Sequence, residues 1–398
     1  MRISTQQYFE TSSAKYSDNY SSVVKAQNQA STGVRVETAS DDPVAAARLL
    51  MLQQQKDMLS QFNGNITSLK NSLTNEESVL GSINDAGYLE VGDFFTRQYT
   101  QSRTCIAGLV SKRALVDQYP DTTMVGEIGD DDGLARVAEY TSGGDKLHMA
   151  YCFDLLGEAH DAPFLHGFLQ RFSDIVGDGW PCWALSNHDV VRSATRWGGP
   201  NPDPRLLRLA AAFQASLRGT VCLYQGEELG LPEATIAFED LQDPYGISMW
   251  PEFKGRDGCR TPMPWAADAP QAGFSTGERS WLPVPPEHRP LAVDRQQADA
   301  GSLLSFFKQL LHWRREQPAL LHGELHLRPV DAQVLAFERH HSAQRVFCAF
   351  NFSDTPATLA LPEGWSQARA LDGSGLSGAH VEGDTLVFEP WGGLFLQA

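Results

Sequence analysis

Apolar residues recur every seven positions through the first part of the chain. Leu52, Leu59, Ile66, Leu73 and Leu80 hold the a positions, and Gln55, Phe62, Leu69, Glu76 and Ile83 follow at d. All of the a positions and most of the d positions are aliphatic or aromatic, so the pattern predicts a long helix with one narrow adhesive seam, as in a coiled coil. A helix laid on some other apolar surface is the alternative. The helix is expected to open at "SDDPVAAARLL", where Asp42 can cap it and Pro43 suits its first position.

From residue 113 the period changes. Short apolar runs at 122–128 (TTMVGEI), 148–155 (HMAYCFDL), 182–187 (CWALSN) and 220–226 (TVCLYQG) alternate with amphipathic stretches such as "PFLHGFLQRFSDIV" and "RLLRLAAAFQASL". That alternation predicts a parallel α/β layer of four βα units. After a helix at "SLLSFFKQLLHWRREQ", alternating runs "QVLAFERH", "RVFCAFNFS", "ATLALP" and "TLVFEP" predict a small antiparallel β domain. The expected divisions are a helical segment at 1–86, a junction at 87–112, the α/β layer at 113–321 and the β domain at 322–398.

Composition sharpens the first division. Residues 1–86 contain one proline and neither tryptophan nor cysteine, whereas all nine tryptophans, all six cysteines and the other twenty-one prolines follow. The whole chain, 398 residues with 42% hydrophobic and 20% charged side chains, has a globular composition. Its formal charge of -17 argues against nucleic acid or an anionic membrane as partner, since both call for clustered Lys and Arg. No run is apolar enough to span a bilayer, and "MRISTQQYFETSSAKYS" lacks the apolar core of a secretory signal, so a cytoplasmic location is expected. The cysteines are far apart with no metal-ligand spacing, which predicts thiols rather than disulfides or a metal site.

Three signatures fall on the second piece. Glu127 ends the first apolar run in "MVGEIGDDDG", Asp189 ends the third in "SNHD", and "GRDGCRTPMPW" at 255–265 is a polar loop closed by prolines. Singly, these read as a turn with a solvated carboxylate, a capping motif and an ordinary loop. Together, two carboxylates delivered to strand tips suit glycoside hydrolysis, where one protonates the leaving oxygen and negative charge supports an oxocarbenium-like centre. A Glu127 enclosed by apolar and aromatic neighbours could then hold its proton near neutral pH.

With "YPDTTMVGEIGDDD", "AEYTSGGDKLHMAYCFDLL", "WALSNHD", "LYQGEELGL" and "RDGCRTPMPW", residues 113–398 resemble the C-terminal half of glycoside hydrolase family 13, in its α-glucosidase or oligo-1,6-glucosidase branch. The resemblance implies half of a (β/α)8 barrel with a C-terminal antiparallel β-sandwich, no cofactor, and an α-linked gluco-oligosaccharide as substrate. It implies Glu127 as general acid/base, Asp189 as transition-state stabiliser, His188 as a donor to sugar hydroxyls and Arg256 as pocket lining. The family's nucleophile lies in a G-F-R-x-D stretch before the Glu strand. Upstream of Glu127 the second piece and its junction offer only Asp93, Asp117 and Asp121, none of them in that setting.

The N-terminal stretches "MRISTQQYF", "ASTGVRVETASDDPVAAARLL" and "NGNITSLKNSLTNEESVL" resemble the flagellin family, most closely hook-associated protein 3 of the hook-filament junction. In that family the helix pairs with a C-terminal helix of the same chain, yet this chain ends in "LVFEPWGGLFLQA", which has no heptads. The expectation is a fusion of a flagellar N-terminus to an α-glucosidase fragment without turnover, able to self-associate through the heptad seam or the sheet edges. The alternatives are a flagellar structural protein, exported through the flagellar type III apparatus, and an enzyme completed by Asp93, another carboxylate or a second chain.

The expected half barrel has an apolar inner face, on which Met124, Met149, Tyr151, Trp183, Leu185, Val221 and Leu223 are placed.

Overall fold

The computed structural model describes residues 5–33, 56, 109–110, 112–128, 130, 132–330 and 333–398. The chain divides into two compact units, Met1–Tyr99 and Thr100–Ala398. In the first, helix α1 spans Thr5–Thr32. Its described face exposes Tyr16, Tyr20, Val23 and Val24 at helical spacing. The helix falls within the helical segment expected at 1–86, ahead of the heptad run, in a stretch that is polar overall. The predicted heptad helix, its cap at Asp42 and most of the 87–112 junction lie outside the described residues.

The second unit opens with parallel strands β1 (Val125–Gly126), β2 (Met149–Cys152), β3 (Pro181–Ala184) and β4 (Thr220–Cys222), hydrogen-bonded in that order. β1, β2 and β4 fall inside predicted runs, and β3 begins one residue before the run predicted at 182–187. Among the described residues, no further strand pairs with β1 or β4. The intervening helices include α2 (Gly133–Thr141), α3 (Ala162–Ile175) and α4 (Pro204–Ser216). Their starts follow from sequence. Asp161 accepts from Phe164 N at 2.8 Å and Asp203 from Arg205 N at 2.8 Å, with a proline in the first turn of each helix.

The α3 stripe of Leu165, Phe168, Leu169 and Phe172 is buried against β3, and Phe168 and Phe172 stand edge-on to Trp183 at 5.6 and 5.1 Å. This corrects the expected inner face. Trp183 and Leu185 are buried on the helix side, and Leu223 packs against the same cluster. Val221 is opposite Trp183 in register and therefore shares that side. The other face carries Met149, Tyr151, Cys182, Ala184 and Cys222. The reason is the two-residue period of a strand, in which a one-residue misplacement moves every side chain to the opposite face.

Helix α5 (Leu303–Arg315), capped by Ser302, leads through α6 (Pro318–His322) into two antiparallel sheets. One has the order β5 (Glu324–Leu327), β6 (Val334–His341), β7 (Gln344–Asn351), β12 (Gly393–Gln397), β9 (Arg369–Ala370); the other has β10 (Ala379–Glu382), β11 (Thr385–Phe388), β8 (Ala357–Ala360). Phe347, Trp365, Leu386, Phe388 and Leu396 fill a core shared by strands of both sheets. A larger cluster joins this β portion to the parallel layer, with Phe213 of α4 edge-on to Phe350 and Phe352 at 6.0 and 5.4 Å. No described helix is long and apolar enough to cross a membrane.

Candidate active site

Leaving β3, the chain turns through Ser186-Asn187-His188-Asp189, and local bonds shape the turn. Asn187 Oδ1 accepts from Asp189 N at 2.8 Å, and Ser186 Oγ accepts from Ser193 N at 2.7 Å. The Arg196 guanidinium gathers the carbonyls of Gly157 (3.0 Å), Leu155 (3.4 Å), Leu185 and Val191. Asp189 is thereby presented at the strand tip, exposed on the site side.

Two arginines meet it there. Arg256 Nη1 donates to Asp189 Oδ1 at 2.8 Å and Arg260 Nη2 donates to the same oxygen at 2.9 Å. Arg260 Nε also donates to the His188 carbonyl at 2.7 Å, and His188 Nε2 lies 3.5 Å from Asp189 Oδ2. Arg256 is itself clamped by the buried Asp243 through Nε at 2.9 Å and Nη2 at 3.0 Å, with its guanidinium 5.0 Å from the centre of the Tyr245 ring. The Arg256 hydrogen bonds hold the Asp243 carboxyl far below the usual range and push Arg256 upward. Buried Asp257 accepts from the N–H groups of Gln242 and Asp243 at 2.6 and 2.8 Å, which fixes the segment that carries the clamp.

Beside Asp189 opens a cavity of about 730 Å³, walled by His188, Tyr224, Glu228, Arg260, Trp265 and Trp281 among others. Indole faces and charged side chains together suit a polyhydroxylated ligand. Behind the turn, the Glu227 carboxyl points inward, next to a cavity of about 20 Å³ lined by Leu185, Ser193 and Trp197. Burial pushes Glu227 up to about 8 against the opposing pull of the Tyr224 N–H at 3.1 Å.

The predicted residues are placed unevenly. Asp189, His188 and Arg256 come together. Glu127 follows β1, as expected from sequence, but it is exposed rather than enclosed. Its strand is at the edge of the described sheet, so the apolar surround inferred for it is absent among the described residues. Asp117 is occupied by Arg113 Nε at 2.7 Å and His148 Nε2 at 3.2 Å. Asp121 is exposed, and Asp93 lies outside the described residues. Arg260 and Asp243 were missed. Arg260 had a signal in the second arginine of "GRDGCR", whereas Asp243 had none.

Strand-tip carboxylate, arginine clamp and indole-walled cleft form one site on the parallel α/β layer, with the mixed polar and aromatic lining of a ligand pocket. Residues 96–323 match the family model of the α-amylase catalytic domain, 325–394 that of the maltogenic amylase C-terminal domain, and 3–88 that of the bacterial flagellin N-terminal helical region. The chain belongs to the α-amylase family. A "probable alpha-glucosidase" of Rhizobium meliloti (strain 1021) is 44% identical over 286 residues, covering 71% of this chain and 51% of that protein. The "probable oligo-1,6-glucosidase 2" of Bacillus subtilis (strain 168) is 30% identical over 315 residues, 69% of this chain and 55% of that one. The crystal structure of the α-glucosyl transfer enzyme XgtA superposes with a TM-score of 0.70 at 47% identity, covering 74% of this chain and 54% of that one. The chain spans about half the length of the curated relatives it matches.

Proposed function

We propose that residues 113–398 are the C-terminal part of a retaining α-glucosidase that binds α-linked gluco-oligosaccharides without turning them over alone. In this reading 113–321 is half of a (β/α)8 barrel and 322–398 its β domain, joined by a junction at 87–112 to a flagellin-type helical segment at 1–86. Glu127 is the general acid/base, Asp189 the transition-state stabiliser, and His188 and Arg256 bind sugar hydroxyls. The observation that carries the reading is Asp189 held by Arg256 and Arg260 at the mouth of the indole-walled cavity. The arginines both bond Oδ1 and so fix the carboxylate, while Oδ2 lies 3.5 Å from His188 Nε2.

Turnover requires more. A retaining enzyme places a second carboxylate about 5 Å from the acid to form a covalent glycosyl intermediate. The sequence before Glu127 holds no G-F-R-x-D stretch, and Asp117 is engaged by Arg113 and His148. Without a nucleophile, the step that divides one hard displacement into two is lost. The test is to assay purified chain on an aryl α-glucoside and to titrate isomaltose or maltose against tryptophan fluorescence, which Trp265 and Trp281 report. Expected are saturable quenching and no hydrolysis above buffer. Hydrolysis that Glu127→Gln abolishes would overturn the inactivity, and absence of any sugar response would overturn the binding site.

A further inference from the structure

Among the tryptophans, Trp183, Trp197, Trp313 and Trp365 are buried, whereas Trp265 and Trp281 are 51% and 63% exposed. Both exposed indoles wall the cavity beside Asp189, together with Phe274, itself 49% exposed. Aromatic surface left in water contributes nothing to the fold, and its concentration around one cleft marks a place where a ligand covers it. Trp281 also walls a second cavity, of about 320 Å³, whose lining includes Asp240, Gln271, Arg279, Ser280 and Arg289. The two cavities are therefore neighbours through one indole.

The second cavity is rich in planar polar side chains. Gln271 Nε2 donates to the Glu278 carbonyl at 2.8 Å and its Oε1 accepts from Ser280 Oγ at 3.0 Å. These bonds fix the amide and leave it one N–H and one lone pair. The backbone beneath it is left-handed at Gln271 (φ 48°) and Ala272 (φ 50°), a conformation that costs free energy in residues other than glycine. It is pinned by the N–H groups of Trp265 and Ala266, which both donate to the Ala272 carbonyl at 2.8 Å. One bonded loop thus presents Trp265 to the first cavity and Gln271 to the second. Across from it, Arg279 Nη2 donates to Asp240 Oδ1 at 3.3 Å, with the arginine side chain 85% exposed. A surface pair of this kind contributes little, so both ends can turn to a ligand at low cost. An acceptor beside a donor matches vicinal hydroxyls, each of which donates and accepts.

We propose that the cavity beyond Trp281 is an outer subsite for a glucosyl unit, so that the chain prefers α-linked gluco-oligosaccharides longer than a disaccharide. The Trp281 indole covers the apolar C–H face of the sugar ring, while Asp240, Gln271 and Arg279 take the hydroxyls at its edge. The proposal rests on the reading of the Asp189 cavity as a sugar site, which holds the units ahead of this one.

The test is isothermal titration calorimetry of the full chain with maltose, maltotriose and maltotetraose, and with isomaltose and isomaltotriose. In the series that binds, the third glucosyl unit should tighten binding by about fivefold or more, the worth of one net hydrogen bond. Arg279→Ala and Asp240→Ala should each flatten that gain while the disaccharide binds as it does to the parent. Trp281→Ala should remove the gain and weaken the disaccharide as well, since this indole walls both cavities. A disaccharide that binds as tightly as the longer sugars overturns the outer subsite and leaves the Asp189 site standing, as does a gain that survives both Arg279→Ala and Asp240→Ala. Absence of binding by every sugar overturns the two together. The chain-length series is read on the unaltered protein, so it decides the matter even where a variant fails to fold.

Discussion

Replacing Glu227 with glutamine should remove a pH dependence of stability and make the protein more stable in mild alkali. Folding raises this carboxyl from its ordinary value of 4.5 to about 8, chiefly by burial. Between those values the folded protein keeps a proton that the unfolded chain has released, so stability is lost as pH rises and levels off above about 8. At about 1.4 kcal/mol per pH unit, the whole window is worth at most about 5 kcal/mol, and the interval from pH 6.5 to 8 about 2 kcal/mol. That interval avoids His288, which burial lowers to about 4 and whose contribution changes only between that value and its ordinary 6.5. The assay is urea unfolding followed by tryptophan fluorescence, which reports the second unit because every tryptophan lies between residues 180 and 391. Glu227→Gln keeps the shape and the neutral state, so its unfolding free energy should fall more gently across pH 6.5 to 8, and it should exceed the parent at pH 8 by about 2 kcal/mol or more. Identical slopes for the two proteins would refute the assignment.

Other perturbations follow from single contacts. Arg260→Ala deletes a bond to Asp189 and one to the His188 carbonyl, and should weaken sugar quenching of tryptophan fluorescence about tenfold, the loss of a charge-assisted bond. A methyl group at Gly126 would meet Leu147 Cδ1, itself buried; Gly126→Ala should cost about 1–3 kcal/mol in urea unfolding. Glu338, buried under His340, Arg328, Arg345 and Trp365, is held down at about 2 because their hydrogen bonds outweigh the upward push of burial. Glu338→Gln should cost up to about 3 kcal/mol at pH 7, the worth of lowering the buried carboxyl from 4.5 to about 2. Since the parent's advantage is present above 4.5 and lost as pH falls through about 2, the gap between the two should shrink in acid.

The chain order of strands and helices was legible because each apolar run has turn residues beside it and each major helix brings its own cap, as at Asp161, Asp203 and Ser302. The face of each strand was harder to read. In a run such as "CWALSN" nearly every residue is apolar, so alternation gives no phase, and only the aromatic contacts of Trp183 with α3 decide it. The site was legible where function and strand end coincide, at Asp189. Its clamp was not, because Arg260 reaches Asp189 from 71 residues away in sequence and Asp243 acts on it through Arg256, and loop geometry leaves no periodic trace. Glu127 shows the converse: its position could be read from sequence, but its surroundings depend on what lies beyond the β1 edge.

The aromatic junction between Phe213 and the Phe350–Phe352 pair has a meaning for how genes of this kind can be cut and rejoined. Arg339 of β6 donates to the carbonyls of Ser216 and Gly323, and Arg314 Nε donates to the carbonyl of Ala215 at 2.6 Å, so charged side chains cross the same seam. A recombination breakpoint between 216 and 339 leaves both products with bare phenyl rings and severed guanidinium contacts, at about 25 cal/mol for each Å² of apolar surface left wet. A breakpoint before α2 severs none of these contacts. The parallel layer and the β sheets are therefore one mechanical unit, and a cut through their shared seam costs the fold more than one made ahead of it.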